Sequence, residues 1–239
     1  MRSGLSVEFK YRDRPDRYEP PQAVGHRPRI GVARPLDARA TFQNGAQAKR
    51  ALDVTIALFA LLALVPVFVV VACLIRAESR GPVFFRQRRY GAGRRSFLIF
   101  KFRTMNVTES VGSFRQAAAG DARVTRVGRF LRRSSLDEMP QLINVVLGDM
   151  SLVGPRPHAI AMDDTYAAVV PHYDDRFLVR PGLTGLAQIS GCRGPTITQE
   201  DIARRIAYDR AYIRRWSLPL DLAIMARTPI ALVRDPNAL

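Results

Sequence analysis

Asp137 and Glu138 are adjacent carboxylates in an arginine-rich stretch: Arg129, Arg132 and Arg133 precede them, and Arg156 follows in Gly154-Pro155-Arg156-Pro157. Two carboxylates in a field of guanidiniums suit phosphoryl chemistry. One can act as nucleophile or metal ligand while the arginines neutralise phosphate oxygens as charge shifts. Pro155 and Pro157 restrict the backbone around Arg156 and present its guanidinium rigidly, which favours a bidentate phosphate contact. Plainer readings stand beside these. Acidic residues in a first helical turn also complement the helix dipole, and Pro-Arg-Pro also makes an ordinary surface turn. Ser135 and Glu138 have capping-box spacing and Pro140 is tolerable only within a first turn, so Ser134 to Leu147 reads as a helix start.

More cations lie on elements that could face this pair. Val83-Phe84-Phe85 and Phe97-Leu98-Ile99-Phe100 flank a turn at Tyr90-Gly91-Ala92-Gly93, the pattern of a β-hairpin. Lys101 and Arg103 alternate with Phe100 and Phe102, so the two cations share one strand face and make a reasonable phosphate site. Arg86, Arg88, Arg89, Arg94 and Arg95 read mostly as a solvated or headgroup-facing ribbon. Arg193 sits in the tight turn Gly191-Cys192-Arg193-Gly194, where glycines permit close backbone approach to a ligand or simply turn the chain. The three histidines, His26, His158 and His172, have no metal-ligand spacing, and Cys73 and Cys192 are far apart. A zinc hydrolase and a disulfide framework are both excluded.

The 239 residues are 47% hydrophobic, enough for a packed core, and carry 37 Lys and Arg against 21 Asp and Glu, a net charge of +16. Such a field implies polyanionic company: nucleic acid, anionic lipid or phosphate-bearing substrates. Residues 1–48 are basic, proline-rich and without periodicity, and read as a disordered tail. Val54 to Ile75 is uncharged and long enough to span a bilayer. Pro66 interrupts it, and both flanks are basic: Lys49 and Arg50 before, Arg76 and Arg80 after. Basic residues favour the cytoplasmic side. A re-entrant helix-break-helix over 49–78 therefore stands beside a kinked span and a long core helix.

Residues 79–239 then form a cytosolic domain. A loop at 106–122, rich in Gly, Ser and Thr and read as a mobile loop or substrate lid, leads to a short basic helix at 126–133 and another helix at 159–170. Short strands are expected at Phe177-Leu178-Val179 and Leu186-Ala187-Gln188-Ile189. Thr198 caps a helix to Trp216, with Asp201 at its third position and Arg204, Arg205, Tyr208, Asp209 and Tyr212 as a solvated or substrate-facing stripe. Leu218 to Val233 suits the membrane interface or the core. The fold class is mixed α+β and membrane-associated: the re-entrant segment, then a small, mostly helical catalytic domain with a β-hairpin and interfacial amphipathic helices.

Four motifs together resemble the bacterial sugar transferases, the monotopic phosphoglycosyl transferases that start polysaccharide assembly on polyprenol phosphate. They are Lys101-Phe102-Arg103-Thr104-Met105, the run Arg129 to Gln141, Ser151-Leu152-Val153-Gly154-Pro155-Arg156-Pro157-His158, and Arg180-Pro181-Gly182-Leu183-Thr184-Gly185. With the proline-containing apolar segment, the likeness covers about residues 46–235. It implies a re-entrant helix and a site at the cytoplasmic face of the bacterial inner membrane. It also implies transfer of a sugar 1-phosphate from a UDP-sugar to undecaprenyl phosphate, with release of UMP and a covalent aspartyl-phosphosugar. Asp137 takes the role of nucleophile, Glu138 that of its partner in metal or proton handling, and the pair would hold Mg²⁺. Lys101, Arg132, Arg156 and Arg180 fall at positions that bind phosphates or lie beside the site. The run containing Arg193 and the form of Pro155 to His158 lean toward glucose or galactose 1-phosphate. Larger relatives carry amino-terminal membrane helices and an accessory domain where the basic tail lies here, so the oligomeric state, a homo-oligomer included, stays open. A nucleic-acid partner is not expected, because it leaves Asp137, Glu138 and Arg156 without a task.

Overall fold

The computed structural model describes residues 45–106, 121–194 and 198–234. The expectations for the tail and for the 106–122 loop fall almost wholly outside them. The apolar run forms helix α1, Ala46–Glu78, which continues through Pro66 as one 33-residue helix. The interruption expected at that proline does not occur. Pro66 removes one N–H, but packing holds α1 on both sides of it. The buried or half-buried positions 49, 53, 57, 60, 61 and 64 continue in helical phase as 68, 71 and 75.

The hairpin follows, with β1 (Phe84–Tyr90) antiparallel to β2 (Ser96–Phe102) in a register from Phe84 opposite Phe102 to Tyr90 opposite Ser96. Helices α2 (Arg126–Ser134) and α3 (Gln141–Leu147) come next. A second small sheet pairs β3 (Ser151–Val153) in parallel with β4 (Gly182–Thr184), and α4 (Ile160–Val169) lies between them in sequence. Gly182 is required there, since a Cβ would lie 2.1 Å from the Gly154 nitrogen. The strand expected at Leu186 to Ile189 is instead a one-turn helix, α5 (Leu186–Ile189), and Phe177 and Leu178 end a 3-10 stretch, Tyr173–Leu178. Four-residue apolar runs carry no length signal to separate the two states. Helices α6 (Gln199–Arg215) and α7 (Leu218–Arg234) complete the described chain, and α6 opens with the expected capping box of Thr198 and Asp201.

Both ends of α1 are fixed to this one body. At its start, Lys49 bonds Asp221 of α7 at 2.7 Å, and Asp53 accepts from the Ser151 hydroxyl at 2.8 Å and the Leu152 N–H at 3.2 Å. Ala57 joins the main core of Phe97, Ile99, Leu142, Val145, Tyr212 and Ile224. Near its end, Val71 and Ile75 pack with Phe102 and Leu131, and Glu78 accepts from the N–H groups of Arg126 and Val127 at the start of α2. The other face of α1 is apolar and exposed, through Phe59, Leu62 and Val65 to Val69, Val70 and Leu74. By length and hydropathy α1 could cross a membrane.

Candidate active site

Asp137 and Glu138 occupy a single 3-10 turn, Leu136–Glu138, between α2 and α3. Ser135 precedes it with a left-handed backbone, φ 58°, which reverses the chain after α2. The expected capping box is not formed. Ser135 caps no backbone N–H; its hydroxyl accepts from Arg193 Nη2, and α3 begins only at Gln141 after Pro140. The spacing was right, but a residue at positive φ cannot serve as the extended N-cap.

Glu138 is clamped by two cations. Its Oε1 accepts from Lys101 Nζ at 2.7 Å and its Oε2 from Arg156 Nη1 at 2.7 Å, while Arg156 Nη2 also reaches Oε1. Burial alone would raise the Glu138 pKa, but Arg156 and then Lys101 outweigh it and hold the carboxyl well below its usual range. Asp137 behaves oppositely. Burial, then the Glu138 charge, push it up to about 6 against the pull of Lys101, Arg132 and Arg156. Among the described residues no donor bonds the Asp137 carboxylate. The turn thus pairs one permanently charged, fixed acid with one unbonded acid that titrates just below neutrality.

Each expected cation has a definite place. Lys101 continues the inner face of β2 after Phe97 and Ile99, which are in the core, and so meets Glu138. Arg132 gives its Nε to Thr104 Oγ1 at 2.9 Å. That approach depends on Gly128, where a Cβ would lie 2.1 Å from the Thr104 carbonyl oxygen. Arg193 bonds Ser135 beside the dyad, and its Nη1 is buried without a partner. Arg103 is not part of the site. It is 4% exposed and donates to the carbonyls of Ser79 (2.8 Å) and Arg80 and to Ser79 Oγ at 3.0 Å, closing the C-terminal end of α1. It shares strand parity with Lys101, but β2 ends at Phe102 and the side chain meets α1 instead. Arg180 is not brought to the dyad either. It is exposed and donates to the Gly148 carbonyl at 2.9 Å, at the opposite end of α3.

Sequence reading missed a buried network behind Arg156. Arg176 donates from Nη2 to the Arg156 carbonyl and from Nη1 to Tyr173 Oη at 2.7 Å and Asp163 Oδ1 at 3.2 Å. Tyr173 donates to Asp163 at 2.7 Å. His158 Nδ1 lies 2.7 Å from Tyr173 Oη, and its Nε2 lies 3.1 Å from Arg205 Nη1. Burial, then Arg176 and Arg205, depress the His158 pKa far below normal, so the ring is neutral. Donors face it on both sides, Arg176 Nη1 and Tyr173 Oη at Nδ1 and Arg205 Nη1 at Nε2. Arg205, Asp209 and Tyr212 form the inner face of α6. Of the stripe expected to be solvated or substrate-facing, Arg204 is exposed and Tyr208 half-buried, while these three are buried by partners on other elements: His158 for Arg205, Arg176 for Asp209 and Asp221 for Tyr212. Arg89, one of many hairpin arginines, lies across from this network. Burial, then Arg156, lower its pKa to about 10, and its Nε is buried without a partner. Its position on the Lys101 face of the hairpin was the available signal.

The donor set suits a hard cation only weakly. Among the described residues no group of three or more His, Cys, Asp or Glu side chains could hold a metal. Asp137 and Glu138 offer two carboxylates, which is compatible with Mg²⁺, an ion bound through one or two carboxylates together with substrate phosphates.

The family model described as bacterial sugar transferase matches residues 44–235. Over 190 residues the chain is 52% identical to the UDP-glucose:undecaprenyl-phosphate glucose-1-phosphate transferase of Caulobacter vibrioides, covering 80% of this chain and 71% of that one. The protein of the same description from Xanthomonas campestris pv. campestris is 47% identical over 192 residues, 80% of this chain and 40% of the relative. The exopolysaccharide production protein PSS of Rhizobium leguminosarum bv. phaseoli is 44% identical over 187 residues, 77% of this chain and 94% of that one. The match thus spans less than half of the Xanthomonas relative and most of the other two.

Proposed function

This chain belongs to the bacterial sugar transferase family, and from that premise we propose that it transfers glucose 1-phosphate from UDP-glucose to undecaprenyl phosphate, releasing UMP. The relatives' names supply the two substrates and the exopolysaccharide setting. The observation that carries the chemistry is the unbonded Asp137 carboxylate beside a Glu138 clamped by Lys101 and Arg156.

In the first half-reaction an Asp137 oxygen attacks the sugar-bearing phosphorus of UDP-glucose. The bond from that phosphorus to the bridging oxygen breaks, and UMP leaves with the electron pair. An acyl phosphodiester joins Asp137 to glucose 1-phosphate. In the second, a phosphate oxygen of undecaprenyl phosphate attacks the same phosphorus and the Asp137 carboxylate leaves, restored. Two displacements let one site serve two anionic substrates in turn. Arg156, Lys101, Arg132 and Arg89 oppose the charge that would otherwise repel a carboxylate nucleophile from a diphosphate. Glu138 keeps the first two cations in place. Mg²⁺, held by the Asp137 and Glu138 carboxylates with the donor's phosphates, would neutralise diphosphate charge.

The site works at a bilayer in this reading. The exposed apolar face of α1 enters the lipid, and its two ends, both fixed to the same body, stay on the cytoplasmic side, so the unbroken helix is monotopic. A panel of UDP-sugars given to membranes with undecaprenyl phosphate tests the proposal. UMP release strongest with UDP-glucose is expected, and no release from any donor would refute it.

A further inference from the structure

A cavity of about 200 Å³ lies beside the dyad, with Glu138 in its lining. One end is polar and formed by Glu138, Ser135 and Arg193. Most of the rest is apolar, with Ile56 of α1 and Met225, Ala231 and Leu232 of α7 contributing to it, and Thr184, Gln188 and Thr228 add polar groups. Thr228 of α7 holds this wall to β4 through a 2.8 Å hydrogen bond with Thr184.

Two features define what would fit. The apolar lining comes from Ile56 of α1, from α7 and from Leu152, Leu183 and Ile189, and the outer faces of α1 and α7 expose Phe59, Leu62, Leu222 and Ile230. A hydrocarbon chain there would lie mostly against apolar side chains, with Thr184, Gln188 and Thr228 as polar interruptions. At the inner end Arg193 uses one terminal nitrogen on Ser135 and leaves the other, Nη1, buried and unpartnered. A buried guanidinium donor without an acceptor is costly unless an anion completes it. The occupant is therefore an amphiphile with an anionic head at Arg193 and an unbranched or isoprenoid chain between α1 and α7. Arg156, which bonds Glu138, and Arg89 on β1 do not line this cavity.

We propose that this cavity is the acceptor subsite: Arg193 binds the phosphate of the polyprenyl phosphate, α1 and α7 take its first isoprene units, and the nucleotide sugar occupies the Arg156 and Arg89 side. The inference rests on the two-step reading above and divides the site between its two substrates. Glu138, clamped between them, forms the partition.

The test separates the half-reactions in the full chain reconstituted in nanodiscs. Adduct formation is followed with radiolabelled UDP-glucose and no acceptor; discharge is followed on adding undecaprenyl phosphate. Ala231→Trp fills the apolar end at a distance from the dyad. Adduct formation within about twofold of the parent and discharge slowed more than tenfold are expected. Arg193→Ala should raise the acceptor KM about tenfold. On the unaltered protein, a diazirine-bearing polyprenyl phosphate should label residues 225–232, while a diazirine-bearing phosphatidylglycerol should not. Equal loss of both half-reactions in Ala231→Trp, unchanged discharge, or labelling of α7 by phosphatidylglycerol as strongly as by polyprenyl phosphate would overturn the assignment. If no adduct and no UMP form in the parent protein, the underlying reaction is wrong; if the adduct forms normally and discharge ignores Ala231→Trp, only the subsite is.

Discussion

Arg156 reaches both carboxylate oxygens of Glu138 from a loop 18 residues further along the chain. It thereby fixes one acid of the dyad as a permanent anion and leaves Asp137, one residue earlier, to carry the burden of that charge. This contact holds the Glu138 pKa low, while burial, then the Glu138 charge, raise Asp137, and the first two predictions use that separation.

Asp137 must be ionised to attack phosphorus, and its pKa is pushed up to about 6. The rate of adduct formation should therefore rise about tenfold per pH unit below 6 and level off above 7. Glu138→Gln removes the second-largest cause of that elevation, so the acid limb should move to lower pH. The plateau rate should also fall about 10²-fold as Arg156 and Lys101 lose their anchor. A pH–rate profile of both proteins checks this; an acid limb left in place would contradict the electrostatic account.

The same shift has a stability consequence. A carboxyl raised from 3.8 to about 6 on folding stabilises the native state below pH 4, and that contribution is lost as pH rises through 6. Asp137→Asn removes the cost of holding the charge. Thermal unfolding in detergent should find this variant more stable than the parent at pH 8, by about 1–3 kcal/mol, with the gap closing below pH 5. A destabilised variant at pH 8 would show that the native site favours the charged form.

Arg103 and Arg156 should fail in different ways. Arg103→Ala strips donors from the carbonyls at the end of α1 and should cost about 2–4 kcal/mol. Its rate per folded molecule should stay within about threefold of the parent. Arg156→Ala should fold and lose about 10³-fold in kcat/KM. Urea titration beside steady-state rates separates the two, and a folded Arg103→Ala protein without activity would return that arginine to the site.

The two ends of α1 are bonded to one body through Lys49 and Glu78. Cysteines placed at Gln47 and Arg80 in a Cys73→Ser background should both react with an impermeant maleimide added to inside-out vesicles, and neither in right-side-out cells. Labelling from opposite sides would establish a spanning helix.

Local signals were read well where they act alone. Thr198 and Asp201 cap α6 because their spacing and the following pattern agree, and the hairpin is legible from its glycine turn. Ser135 and Glu138 carry the same capping spacing, yet tertiary pairing claims both side chains, Glu138 for Arg156 and Ser135 for Arg193. Lys101 and Arg103 look equivalent in sequence and part because one meets the dyad turn and the other the end of α1. The network of His158, Asp163, Tyr173, Arg176 and Arg205 draws on separated segments. Each member alone resembles an ordinary surface residue, and only the fold supplies the partners that allow burial.

The most direct measurement is isolation of the covalent intermediate. The protein is incubated with UDP-[¹⁴C]glucose and Mg²⁺ in the absence of polyprenyl phosphate, quenched and digested. Label should appear on the peptide containing Asp137, be released by hydroxylamine, be chased into lipid on adding acceptor, and be missing from Asp137→Asn. Normal turnover with no labelled peptide, or label retained by Asp137→Asn, would contradict an aspartyl carrier at this position.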